Sequence, residues 1–314
     1  MMSQNQLYSY KAELAFIMPA KNEERYLSEA IESFLYSKNE HHKLVIIDDF
    51  STDRTADIAI QYQKDNPTRI IFKRNKISGK VNALNLGIKL INASYYKFID
   101  ADDILEISFW AYFETIKESQ KSHTNAINIA RDDLEFISKW TMPSLNQIKY
   151  KSYIENITLL PKASWTFFHD DIKGLFPIPK GMPYEDIWFS FYIFFNDIKI
   201  INSNNGHYRY RQHDSQTFGN TNDISEEKIL FRFRRVMHAI QIISGTKYFY
   251  VYSNEIQYAE NIAKFMIGDI SIYSFYSTTR FDTFLKHLIL RDYKSIYLFI
   301  RRFLWSVRNL RSLK

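Results

Sequence analysis

The chain has 314 residues, 46% hydrophobic and 24% charged, with a net charge of +6. That length allows one large domain or two smaller ones, and the positive balance favours anionic partners such as nucleotides, phospholipid headgroups or nucleic acid. The absence of cysteine excludes disulfides and thiolate metal sites. No run approaches the roughly 20 apolar residues that span a bilayer, the N-terminal stretch lacks the layout of a signal peptide, and a cytosolic setting is expected. Aromatics reach 17%, which serves either a core or stacking platforms for sugars and bases.

The first ~130 residues alternate strand-like and helix-like patterns. Leu14-Met18 is an apolar run stopped by Pro19. Leu27, Ala30, Ile31, Phe34 and Leu35 keep helical spacing. Leu44-Ile47 is a second buried-strand run, ending in "DDFSTD", where Asp53 can cap a helix from Arg54 to Lys64. Arg69-Phe72 is a third strand. Val81, Leu84, Leu86, Ile88 and Leu90 belong to a helix of mixed periodicity, and Tyr95-Ile99 is a fourth strand. This order predicts an α/β fold: a Rossmann-like, mostly parallel central sheet with helices on both faces. Ligands of such sheets bind beyond the carboxyl ends of the strands, and the polar clusters "PAKNEE", "DDFSTD" and "DADD" all fall there.

Residues ~131–220 are less regular, with Pro161, Pro177, Pro179, Gly181 and Pro183 marking loops before a helix that starts near Glu185. The last ~95 residues read as helices. The division expected is a catalytic domain over 1–220 (nucleotide half about 12–130, acceptor half about 131–220) and a helical region over 221–314.

Three clusters carry chemistry. Asp100 and Asp102 alternate with Ala101, so in an extended segment both point the same way. Such a pair can hold a hard divalent cation together with phosphate oxygens, or form a solvated acidic turn. Asp49, at the end of the second strand, can accept from a base N–H or a ribose hydroxyl. Glu185-Asp186 fits an acidic first helical turn or a catalytic acid. His213 could ligate metal, touch diphosphate, or be a surface histidine; His41, His42 and His123 are assigned nothing.

"FIMPAKNEERYLSEAIESFL", "VIIDDFSTDRT", "GKVNALNLGI" and "YKFIDADD", in that order, resemble the nucleotide-binding half of family 2 glycosyltransferases with the GT-A fold. "GMPYEDIWFSFYIF" and "YRYRQHDSQT" are similar to the acceptor half of bacterial members that build surface polysaccharides. The resemblance covers residues ~12–220 and names no sugar. It implies that Pro19, Ala20, Lys21 and Glu23 line the nucleotide, that Asp49 reads the base, typically uracil, and that Lys80 lies near the nucleotide. It implies that Asp102 binds Mn²⁺ or Mg²⁺ on the diphosphate, with Asp100 near ribose and metal, and that Asp186, after Glu185, is the general base. Lys21 stands where the family usually has an aromatic, and Phe50 where it usually has Gly. "SWTFFHD" lacks the basic residues common at that point, which leaves the acceptor contacts open.

Sugar transfer needs a stabilised diphosphate, a proton acceptor for the attacking hydroxyl and an oriented anomeric centre. No second nucleophile is evident, so one displacement with inversion is expected. The alternatives are a nucleotidyltransferase, which usually offers a Gly-rich phosphate loop absent from "PAKNEERYL", and a basic nucleic-acid-binding protein, which lacks zinc spacing or an RNP-like strand. The partners expected are a nucleotide-sugar donor and a saccharide or lipid-linked saccharide acceptor. The tail from Lys286 to Lys314 carries an apolar stripe opposite Arg291, Lys294, Arg301 and Arg308. It either lies on an anionic membrane, with Trp305 at the headgroups, or packs on its own domain.

Overall fold

The computed structural model describes residues 10–141, 161–196, 198–213, 234–235, 238–246, 261 and 264. They fall into two units, one of residues 10–141, 161–180, 196 and 198–213, the other of residues 181–195 and the described residues from 234 on.

In the first unit the chain runs β1 (Tyr10–Ala20), α1 (Leu27–Leu35), β2 (His42–Asp48), α2 (Thr55–Asp65), β3 (Ile70–Arg74), α3 (Lys80–Leu90) and β4 (Ile91–Phe98). There follow β5 (Ile104–Leu105), α4 (Ser108–Ile116), β6 (Ser122–Ala130), β7 (Phe136–Trp140), β8 (Trp165–Phe168) and β9 (Ile200–Arg211). One sheet takes all nine strands in the order β3-β2-β1-β4-β8-β6-β9-β5, with β7 paired to β6. β1 to β4 are parallel, in registers such as Met18 beside Ile46 and Ile17 beside Phe98. β8 is antiparallel to both β4 and β6, and β9 runs parallel to β6. The parallel half therefore matches expectation. The region expected to be irregular supplies β8 and β9, whose short or polar sequences carry little buried-strand signal.

The residues explain the parallel half. Leu14 to Met18 are wholly buried, as a central parallel strand covered on both faces requires. The strand does not stop at Pro19. Its pairing with β4 ends at Ile17–Phe98, so the missing N–H of Pro19 costs no ladder bond on that edge. α1 buries Leu27, Ala30, Ile31 and Phe34, the i, i+3, i+4, i+7 stripe. α3 shows mixed periodicity because it packs with its backbone: a Cβ on Gly87 would lie 2.7 Å from Ile17 Cγ2. Much of the aromatic content is core. Phe16 meets Phe34, Phe109 and Trp110 at 5.4, 5.8 and 5.6 Å between ring centroids, and His42 stacks on Trp110.

In the second unit, α5 (Glu185–Phe195) starts where the sequence predicts. Ile187, Trp188, Phe189, Phe191, Tyr192 and Ile193 are buried, the pattern of a helix covered all round. Arg235 lies 3.7 Å over the Tyr184 ring and donates to the Pro183 carbonyl. No helix among the described residues is long and apolar enough to cross a membrane. The tail from Lys286 to Lys314 lies outside the described residues.

Candidate functional site

β1 lies between β2 and β4, so the chain reverses direction across the sheet there and opens a crevice beyond the carboxyl ends of β1 and β4. The three polar clusters meet around it. The loop after β1 is stitched to the loop after β2. Asn22 N–H donates to Ser51 Oγ (3.0 Å), Thr52 N–H to Asn22 Oδ1 (2.8 Å), and Glu23 N–H to Thr55 Oγ1 (2.7 Å). Asp53 accepts from Glu24 N–H (3.1 Å) and Thr55 N–H (3.0 Å), while Arg54 N–H donates to Glu24 Oε2 (3.0 Å). Burial pushes the Asp53 carboxyl up, but these bonds outweigh it and lower it. Asp53 thus ties one loop to the other as well as serving the start of α2, which begins at Thr55 rather than Arg54.

Asp49 is buried and structurally committed. Its Oδ1 accepts from Asn75 Nδ2 (2.8 Å), and both its oxygens lie 2.9 Å from Gly79 N. Gly79 has φ +124°, a region that favours glycine, and it precedes Lys80, the first residue of α3. Asp49 thereby fixes the β3–α3 loop and aims Lys80.

The acidic cluster after β4 is a turn, not the extended segment expected, closed by Asp103 N–H onto the Asp100 carbonyl (3.4 Å). Its three carboxylates consequently diverge. Asp100 Oδ1 lies 2.7 Å from Lys80 Nζ and its Oδ2 lies 2.5 Å from the buried Lys162 Nζ. Burial alone would raise the Asp100 carboxyl; the Lys162 and Lys80 ammonium groups hold it well below the usual carboxylate range. Asp103 is buried and accepts from Tyr208 O–H (2.7 Å) and Arg211 N–H (2.8 Å). Burial and the charges of Asp102 and Asp100 drive its carboxyl well above the usual range. Asp102 faces His213, with Oδ2 3.1 Å from Nε2, and its Oδ1 has no hydrogen-bond partner among the described residues. His213 lies against Tyr26 at 4.7 Å between ring centroids. Arg211, buried, bonds the Asp102 carbonyl (2.9 Å) and Glu29, which fastens the end of β9 to this turn.

Asp102 and His213, hydrogen-bonded at 3.1 Å, offer a carboxylate oxygen and an imidazole nitrogen, donor types that a divalent cation such as Mn²⁺ takes. Negative potential is also concentrated here: burial, then Asp102 and Asp100, raise the Glu23 carboxyl to about 8. Asp100, expected beside the metal, gives its oxygens to two ammonium groups instead.

Of the other expected residues, Pro19, Ala20 and Ala101 are buried, whereas Lys21 is exposed. Glu185 and Asp186 open α5 in the second unit, the first buried and the second half-buried. Sequence reading missed Lys162, Tyr208, Arg211 and Asn75. Only Tyr208 and Arg211 left a trace, the aromatic-basic run "HYRYR" in which both stand, on opposite faces of the strand. A separate group, Glu13, His42 and Glu114, could also hold an ion. It lies toward the opposite ends of the strands, and Lys117 already bridges its two carboxylates at 3.4 and 2.8 Å.

Comparison with known proteins bears on the family resemblance and the fold. Residues 15–158 match the model of "Glycosyl transferase family 2". Over 123 residues the chain is 31% identical to the minor teichoic acid biosynthesis protein GgaB of Bacillus subtilis; the match covers 38% of this chain and 13% of that protein. Among solved structures it superposes on S. aureus TarS 1-349 in complex with UDP-GlcNAc with a TM-score of 0.58. The identity is 14%, covering 92% of this chain and 79% of that one. The mannosyltransferase PcManGT of Pyrobaculum calidifontis, in complex with GDP-Man and Mn²⁺, gives a TM-score of 0.55 at 12% identity, covering 95% and 81%. The fold is GT-A, and residues 15–158 are similar to family 2 glycosyltransferases.

Proposed function

We propose that this chain moves a sugar from a nucleotide-sugar donor, a UDP-sugar, to a hydroxyl of a saccharide or lipid-linked saccharide in surface polysaccharide synthesis, with inversion at the anomeric carbon. The observation that carries this reading is the approach of Asp102 to His213 at 3.1 Å, beside an Asp100 clamped by Lys80 and Lys162. Similar proteins support it: one is named for minor teichoic acid biosynthesis, one structure holds UDP-GlcNAc, and another holds GDP-Man and Mn²⁺.

Asp102 and His213 would hold Mn²⁺ or Mg²⁺, which when bound stabilises the charge of a departing diphosphate as a Lewis acid. Lys80, pinned at its base by Gly79 and half-exposed at its tip, presents an ammonium toward the same diphosphate. Pro19, Ala20, Lys21, Glu23 and Ala101 line the nucleotide. Asp49, with Oδ2 engaged by one N–H, keeps capacity for a base N–H. Asp186 takes the proton of the acceptor hydroxyl as it attacks, and Glu185 is the next candidate for that role. The basic tail holds the enzyme to the anionic inner face of the cell membrane.

The test is product analysis. A panel of sugar nucleotides with Mn²⁺ and a lipid-linked saccharide acceptor should yield one glycosylated product by mass spectrometry, of inverted anomeric configuration by NMR. A retained configuration would end the single-displacement mechanism. Transfer of a nucleotidyl group instead of a sugar would end the whole reading.

A further inference from the structure

Phe50 combines two costs that proteins ordinarily avoid. Its φ is +62°, the left-handed region where a bulky side chain is strained, and its large apolar side chain is 52% exposed. Glycine would relieve the first cost, and any small polar residue the second. Neither cost is an accident of a loose loop, because the backbone on both sides is tied. Asp49 N–H donates to the Ala20 carbonyl (2.8 Å), Ser51 N–H reaches Asp48 Oδ1 (3.3 Å), and Ser51 Oγ accepts from Asn22 N–H (3.0 Å). A second exposed apolar side chain, Ile77 at 63%, belongs to the loop that Asp49 pins through Asn75 and Gly79. The fixed turn holds an aromatic ring in solvent at the carboxyl end of β2, where ligands of such sheets bind.

Its place in the sheet says which part of a ligand it meets. The charged groups suited to phosphate and cation, Lys80, Asp102 and His213, gather beyond β4. β2 is two strand spacings away, roughly 10 Å. Consecutive residues bridge that gap: Gly79 binds Asp49 and Lys80 binds Asp100. A nucleoside diphosphate with its phosphates beyond β4 brings its base to the β2 corner. We propose that the Phe50 ring is the platform on which the donor's base stacks, so that base affinity resides in an exposed aromatic face held by a strained backbone. This rests on the nucleotide-sugar reading above. Stacking is tolerant of base identity because every base has a π-face.

Phe50→Gly separates this role from a structural one, since it removes the strain and the ring together. The thermal midpoint of Phe50→Gly should rise by about 2 °C. Its dissociation constants for UDP and GDP with Mn²⁺ should rise about 5- to 150-fold, the range for losing one base–aromatic stack. Inorganic pyrophosphate with Mn²⁺, which has no base, should bind both proteins alike, and Phe50→Trp should bind the nucleotides as wild type does. Unchanged nucleotide affinity in Phe50→Gly would overturn the proposal, as would an equal loss for pyrophosphate, because the ring would then be shaping the loop. If the wild-type protein binds neither nucleotide, the donor reading itself fails. Binding that Asp102→Asn weakens and Phe50→Gly does not would sink this inference alone.

Discussion

Lys162 brings its ammonium to 2.5 Å from Asp100, across 62 positions of sequence, while Lys80 takes the other carboxylate oxygen at 2.7 Å. The Lys162 side chain is 3% exposed and that of Asp100 22%, so this is a largely desolvated pair. Removing one partner from a buried pair costs about 3–5 kcal/mol, and the presence of Lys80 puts the expected loss at the lower end. Lys162→Met should therefore lower unfolding stability by about 3 kcal/mol, and Lys162→Met with Asp100→Asn should recover part of it. Urea unfolding of the four proteins measures this; an unchanged midpoint for Lys162→Met would show that the pair contributes nothing.

Asp49 is expected to matter to the fold as well as to the ligand. It satisfies Asn75 Nδ2 and Gly79 N–H, both around a loop that aims Lys80. Asp49→Ala leaves those donors without their acceptor and should cost about 1–3 kcal/mol of stability, along with weaker UDP binding by calorimetry. Full stability with lost affinity would mean that the carboxylate serves the ligand alone.

Two buried histidines make the protein sensitive to mild acid. Burial lowers His123 and His207 to about 4, with the neighbouring Lys121 and Lys97 charges acting in the same direction. Their unfolded value is about 6.5, so between pH 6.5 and 4 the unfolded chain binds more protons and stability falls with pH. Each histidine contributes about 1.4 kcal/mol per pH unit in that window. Glu23, raised to about 8, acts with the opposite sign over the same range, so the comparison must be between variants. The stability of His123→Gln relative to wild type should improve steadily as pH falls from 6.5 to 4.5. A constant difference would show that the ring is not forced to stay neutral.

The sequence discloses the site to the extent that its parts are local. Asp49, Asp100 and Asp102 all stand within three residues of the end of a buried apolar run, so both the strand and the polar end can be read from a few adjacent residues. The turn after β4 is different. An alternating "DAD" suggests one shared direction, but the partners that send its carboxylates apart are Lys162, Tyr208 and His213, from segments more than 60 residues away. A single lysine in "PKAS" has no pattern to announce it. β8 has only four residues and β9 is polar over Asn202–Asn205, so their pairing depends on tertiary context more than on propensity. The family departure at Phe50 is visible in sequence, but its left-handed backbone and exposure are not.

The central claim, that Asp102 and His213 form the cation end of a nucleotide-sugar site, is tested most directly by titrating UDP into wild type and Asp102→Asn with and without Mn²⁺. Wild type should bind UDP tightly only when Mn²⁺ is present. Asp102→Asn should lose that dependence and lose transfer by more than the 10- to 100-fold typical of residues that merely support a ligand, while its circular dichroism stays that of wild type. An Asp102→Asn protein with wild-type Mn²⁺-dependent UDP binding and near wild-type turnover would contradict the account.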